Sequence, residues 1–286
     1  MQGYKTLSLF AAFIYFMSLM VYNTYAIKNA SIKNDDFLKN QLEYSAKLES
    51  SNAIILYGSS PVLYGLSANH FKIKTAYSTI NMSTQGRGGQ IEKFIELISN
   101  DNQNQGKIII LGDRNYRNSI YKSVNEEFNL DISDNLTPII NLASLFGKSI
   151  SRDSHGDFIN YNKNNFHART ISAPPIYTNE NFKLMEKHIN SVLSAGMCPI
   201  IVFIPLLVKG TDFEIYTRAS EIFIEKIKNS NIKNYVATTP MIETDLYYFS
   251  DPDHMSALGR EKWTRLLLAE ITERQMCGIT AVKEEI

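Results

Sequence analysis

The sequence predicts an α/β protein, a three-layer sandwich around a central parallel sheet of about five strands, with a transmembrane helix at the N-terminus. Three observations carry this. Short continuous apolar runs at 53–57 (AIILY), 107–111 (KIIIL) and 199–204 (PIIVFI) read as strands buried on both faces. Stretches with apolar residues at helical spacing alternate with them, which is the pattern of a parallel sheet covered on both sides. Residues 7–26 (LSLFAAFIYFMSLMVYNTYA) carry no charge, and as a helix they reach ~30 Å, the thickness of a bilayer core.

In chain order, 1–26 is a membrane anchor or a signal peptide. The apolar run is long for a signal peptide and favours an uncleaved anchor, while Thr24-Tyr25-Ala26 is an acceptable cleavage site. Lys5 precedes the span and Lys28 and Lys33 follow it, so charge does not set its orientation. Residues 27–52 are polar and read as a juxtamembrane stalk. The body, 53–286, is one domain. Its first strand is 53–57, closed by Gly58. A weaker strand lies at 76–80. A helix over 90–98 follows from apolar residues at 91, 94, 95 and 98. The strand at 107–111 again ends in glycine. Residues 113–178, rich in Asn, Ser, Asp and Tyr, form a long excursion at the sheet edge. Then come a helix at 179–195, the strand at 199–204, a helix at 213–228, a short strand at 234–238, and a last helix from about Ser256 to Gln275.

Composition excludes several classes. Lys+Arg and Asp+Glu are both 29 in 286 residues, and that zero balance argues against a nucleic-acid partner. A hydrophobic share of 44% with 20% charged residues is that of a folded chain. Two cysteines, Cys198 and Cys277, are too few for a four-cysteine zinc site. Both fall near the N-terminal edge of the expected sheet. They remain thiols or, in an exported body, pair as a disulfide.

Ligands of such sheets gather beyond the C-terminal strand ends. Gly58-Ser59-Ser60, the segment 81–86 (NMSTQG) and the segment 112–115 (GDRN) all follow strands, and Asp251-Pro252-Asp253-His254 precedes the last helix. A serine hydroxyl needs an adjacent base to attack a carbonyl. His254 can take its proton, and a carboxylate on the other ring nitrogen holds the tautomer. Asp251, three residues before the histidine, suits that role. Asp253 caps the last helix or faces solvent. Singly, each segment also reads as a turn or a cap; their order and strand-end placement are what join them. Of the other histidines, His188 reads as a surface residue of a helix, and His155 and His167 as loop residues. Trp263 reads as core.

These blocks resemble the SGNH (GDSL-type) hydrolase superfamily, and within it the membrane-anchored branch that acylates or deacylates cell-surface polymers. The segment YGSSPVLYGL is similar to the first family block, NMSTQG to the second and DPDHMSALGREKW to the last. The resemblance implies an SGNH, flavodoxin-like fold and a Ser60–His254–Asp251 triad working without metal or cofactor. It implies an oxyanion hole from the Ser60 and Gly86 amides and an asparagine side chain. The third block departs from the pattern. Arg114 stands at the asparagine position, so Asn115 enters the hole by a one-residue shift, Arg114 replaces it, or the donor is missing. Arg87 and Arg114 are candidate substrate contacts. The implied activity is acyl transfer to a surface polysaccharide through acyl-Ser60, with a membrane partner protein supplying the acyl donor and the body facing the periplasm or cell exterior. A carbohydrate esterase and a catalytically inactive glycan-binding module are the alternatives.

Overall fold

A computed structural model describes residues 53–83, 91–100, 104–112, 116, 153–157, 178–208, 212–239, 242–243, 245–251 and 254–282, together with Tyr15, Met17, Ser18 and Met20. The chain divides into two units, Met1–Gln41 with Asn125–Ser149, and Leu42–Val124 with Ile150–Ile286. In the first, the four described residues are helical and exposed. They belong to the span expected at 7–26; among the described residues no helix is long and apolar enough to cross a membrane. The expected stalk at 27–52 lies outside the described residues, and so does most of the excursion at 113–178.

The second unit is built on a parallel sheet. Strands β1 (Ala53–Gly58), β2 (Ser78–Asn81), β3 (Ile108–Gly112) and β4 (Cys198–Ile201) lie in the order β2-β1-β3-β4, all parallel. β1 and β3 are buried along their whole length, as continuous apolar runs require. Side chains alternate between two faces. Ile54, Leu56, Ile108, Ile110 and Ile200 share a core with Leu66, Phe71, Trp263, Leu267 and Ile271. That side is covered by helices α1 (Ser60–Gly65), α2 (Ala68–Thr75) and, once the later elements are counted, α6 (Ala257–Glu273). Tyr57 points to the other side and stacks on Phe94 of α3 (Ile91–Ser99), ring centroids 3.6 Å apart. Helix α4 (Asn179–Ser194) packs on α3 and β4. It begins in a capping box, where Thr178 and Asn181 exchange hydrogen bonds. α5 is Asp212–Lys228.

The structure departs from the expected strands in two places. β2 starts at Ser78 rather than 76, because Ala76 takes a left-handed conformation (φ 58°) that ends α2. The fifth strand expected at 234–238 is reduced to one parallel bridge, Val236 to Ile201, beside Ala237 N–H donating to Ile201 O at 2.9 Å. Lys233–Tyr235 form a 3-10 turn that uses up the start of that segment. β4 likewise stops at Ile201. Pro205 follows shortly after it and has no N–H to give to a ladder. Pairing resumes at β5 (Leu206–Leu207) and β6 (Ile242–Glu243), again parallel.

Cys198, the first residue of β4, is joined to Cys277 in a disulfide, Cα atoms 5.8 Å apart. Cys277 lies in the 3-10 turn Met276–Gly278 after α6. Of the two states left open from sequence, the paired one is found.

Candidate functional site

The strand order reverses direction between β1 and β3, and their C-terminal ends form the switch point where ligands of open α/β sheets bind. Gly58 and Gly112 are in register there. A Cβ on Gly58 would lie 2.1 Å from Gly112 O and 2.5 Å from Val62 Cγ2, and one on Gly112 would lie 2.4 Å from the same Val62 atom. The paired glycines therefore make the space into which α1 folds back over the strand ends.

That fold-back sets Ser60. Ser59 is the N-cap of α1, its carbonyl accepting from Val62 N–H at 3.0 Å and Leu63 N–H at 3.2 Å. Pro61 suits the first turn, since its fixed φ is helical and the missing N–H has no intrahelical partner there. Ser60 is the first residue of the helix and is buried. Tyr64 stands one turn further on, on the same stripe of the helix.

His254 comes from the other end of the body. β7 (Phe249–Asp251) and β8 (His254–Met255) form an antiparallel hairpin whose register sets Asp251 opposite His254, with an irregularity between Phe249 and Asp251. The Ser250 hydroxyl donates to His254 O at 3.2 Å. The hairpin is locked to the start of α6. Ser256 caps that helix by accepting from Gly259 N–H at 3.1 Å, and its hydroxyl donates to Tyr247 O at 3.0 Å. Ser256 thus fills the capping role that is one of the two readings of Asp253. A Cβ on Gly259 would sit 2.0 Å from Tyr248 O, so only glycine permits this approach.

α1 packs against β8. Tyr64 and His254 meet edge to face, ring centroids 4.7 Å apart at an interplanar angle of 64°. The helix opened by Ser60 and the strand opened by His254 are therefore neighbours, although 194 positions separate the two residues in sequence. The Asp251 side chain lies outside the described residues, as do Gly86, Arg87, Arg114 and Asn115.

The rim carries a second polar centre with no counterpart in the sequence reading. Asp157 is buried and accepts from Ala68 N–H at 2.9 Å, Asn69 N–H at 3.1 Å and the Ser67 hydroxyl at 2.8 Å, so it caps α2 from a distant segment. It also accepts from Asn81 Nδ2 at 3.2 Å. Asn81 ends β2, is fully buried, and its Oδ1 accepts from Ser83 N–H at 3.1 Å. His155 O accepts from Asn81 N–H at 2.8 Å, and Gly156 (φ 79°) passes so close that a Cβ would lie 2.2 Å from Asn81 O. The turn 153–157 is thus seated on the end of β2, at the entry to the segment that carries Gly86. Its partners lie 74 to 90 residues away, and no local pattern marks it.

His188 corrects another expectation. It is buried rather than on the surface, with Nδ1 2.8 Å from the hydroxyl of fully buried Tyr116 and Nε2 3.9 Å from Glu92 Oε1. Burial lowers its pKa to about 4 against the opposing pull of Glu92. Buried residues of α4 recur at 185, 188, 189 and 192, which is the helical stripe His188 shares. Trp263 is core, as expected.

Comparison with protein-family models, with curated proteins and with solved structures finds no match to this chain.

Proposed function

We propose that this chain is an exported, membrane-tethered serine acyltransferase of the SGNH type that modifies a cell-surface polysaccharide. The observation that carries the reading is the meeting of α1 and β8 at the sheet's switch point, where the helix begun by Ser60 meets the imidazole of His254 through Tyr64. The register of Asp251 opposite His254 agrees with it. The disulfide agrees with export, since such bonds persist in oxidising compartments.

In this reading His254 takes the Ser60 proton as Oγ attacks the acyl carbonyl, and Asp251 stabilises the resulting imidazolium. The Ser60 and Gly86 amides, with the Asn115 side chain, receive the oxyanion. Collapse breaks the bond to the donor alcohol, which leaves with the proton from His254. An acceptor sugar hydroxyl, deprotonated by the same imidazole, then attacks acyl-Ser60 and releases the serine. Arg87 and Arg114 contact the substrate, and a membrane partner supplies the acyl donor.

The test is turnover of a chromogenic acetyl ester, with mass spectrometry of the protein, comparing the wild type with Ser60→Ala. The wild type should gain an acetyl group on Ser60, and the variant should lose about 10⁴-fold or more in kcat, as nucleophile removal does in serine acyl enzymes. Equal turnover by the two proteins removes Ser60 from the chemistry.

A further inference from the structure

We infer that Tyr64 is a positioning residue for His254, holding the imidazole on the side of α1 from which Ser60 is reached; the inference rests on the reading just given. The backbone of β8 is fixed by the Phe249–Met255 pairing and by the Ser250 hydroxyl, which donates to His254 O at 3.2 Å and Met255 O at 3.4 Å. The rotation of the imidazole about its two side-chain bonds is a separate variable, and Tyr64 bears on it. The Tyr64 ring packs against the imidazole, 4.7 Å away and edge to face, a geometry aromatic pairs favour.

Tyr64 is itself held. Val62 is wedged over Gly58 and Gly112, Leu63 is fully buried, and a Cβ on Gly65 would lie 2.7 Å from Ile204 Cγ2, so α1 has one seating on the sheet. Ser60 and Tyr64 stand four residues apart on that seated helix and share one of its faces. The ring that contacts the imidazole and the hydroxyl that must meet it are therefore displayed by one rigid turn. A side chain without a flat ring at position 64 removes this contact and one of the restraints on how the imidazole turns. Misplacement of about 1 Å in such a base costs on the order of 10²-fold in rate.

The experiment uses the full-length protein in detergent and compares the wild type with Tyr64→Phe, which keeps the ring, and Tyr64→Leu, which does not. Tyr64→Met, flexible and of similar bulk, serves if the leucine variant fails to fold. Two readouts are taken: the ring-current displacement of the His254 imidazole resonances, and the rate at which a fluorophosphonate labels Ser60, with the kcat and KM of a chromogenic acetyl ester alongside. The inference expects Tyr64→Phe to keep the displacement and label within about threefold of wild type. It expects Tyr64→Leu or Tyr64→Met to lose the displacement and to fall about 10- to 100-fold in labelling and kcat, with KM little changed. Wild-type labelling by the leucine or methionine variant overturns it and leaves the acyltransferase reading standing. So does a phenylalanine variant as slow as leucine, which would make the hydroxyl the active part. If wild-type Ser60 does not label while its His254 resonances show the ring contact, the acyltransferase reading fails and takes this inference with it.

Discussion

Removing the Cys198–Cys277 bond should lower the stability of the body without touching its chemistry. The bond closes a loop of 79 residues. In the chain-entropy treatment that closure removes about 15 cal/mol/K from the unfolded ensemble, or about 4.5 kcal/mol at 25 °C. Part of this is returned when the bond is absent. Gln275 and Cys277 have φ of 49° and 53°, a left-handed conformation that costs a non-glycine residue roughly 1–2 kcal/mol, and an untethered turn can relax out of it. The expected net loss is therefore about 0.5–2.5 kcal/mol. For a body of this size that lowers Tm by roughly 1–10 °C. The assay is thermal and guanidinium unfolding of the full chain in detergent, comparing the oxidised protein with the Cys198→Ser/Cys277→Ser double variant. Fluorophosphonate labelling of Ser60 well below either Tm should be equal in the two. An unchanged Tm, or two alkylatable thiols in protein purified without reductant from the cell envelope, refutes the reasoning.

Two further outcomes follow from buried polar groups. With a folded pKa near 4 against about 6.5 when unfolded, His188 stays neutral in the native state while the unfolded chain takes up its proton. Its contribution is fully present above pH 6.5 and is lost as pH falls towards 4, about 3 kcal/mol in all. His188→Gln, which cannot titrate, should flatten the denaturation midpoint over that window, and an unchanged pH slope counts against the assignment. Asp157→Ala leaves two α2 amides, Ser67 and Asn81 short of an acceptor, and should cost about 3 kcal/mol and speed hydrogen exchange at Ala68 and Asn69. Melting and exchange rates equal to wild type would show that the turn 153–157 does not hold the rim.

The sheet was legible where burial on both faces leaves an uninterrupted apolar run, as in β1 and β3. Helices α3 to α6 were legible where a polar face alternates with a buried stripe. α1 and α2 were not. The segment after Gly58 is short and broken by Pro61 and Gly65. In α2 the buried residues are Ala68, Phe71 and Thr75, while the aliphatic Ile73 is 62% exposed, so its apolar residues do not mark its inner face. The fifth strand misled because Lys233–Tyr235 turn as a 3-10 helix and leave one bridging residue, Val236, which apolar content alone does not reveal. At the site, Ser60 and His254 could be singled out by the chemistry their types permit. Tyr64 could not, because its relation to Ser60 exists only once α1 is a helix. Asp157 and the Tyr116–His188 pair join segments more than 70 residues apart, and nothing local in a sequence encodes such a meeting.

The two edges of the sheet are secured by different means, and this separates stability from chemistry. At the N-terminal edge the disulfide ties the start of β4 to the turn after α6 by a covalent bond. At the C-terminal edge the fixings are hydrogen bonds and close glycine contacts: Asp157 on α2 and Asn81, Ser256 on Tyr247, and Val62 over Gly58 and Gly112. In a parallel sheet, Ser60 after the end of β1 and Cys198 at the start of β4 stand at opposite edges. The bond is therefore too remote to orient the hydroxyl, and its contribution falls on resistance to unfolding. Oriented polar contacts at the rim do what a crosslink cannot: each fixes one backbone segment without binding the others to it. In the proposed reading, a rim held in this way would seat an acyl carbonyl against Ser60 while the chain beneath it stays fixed, as a double displacement through one hydroxyl would require.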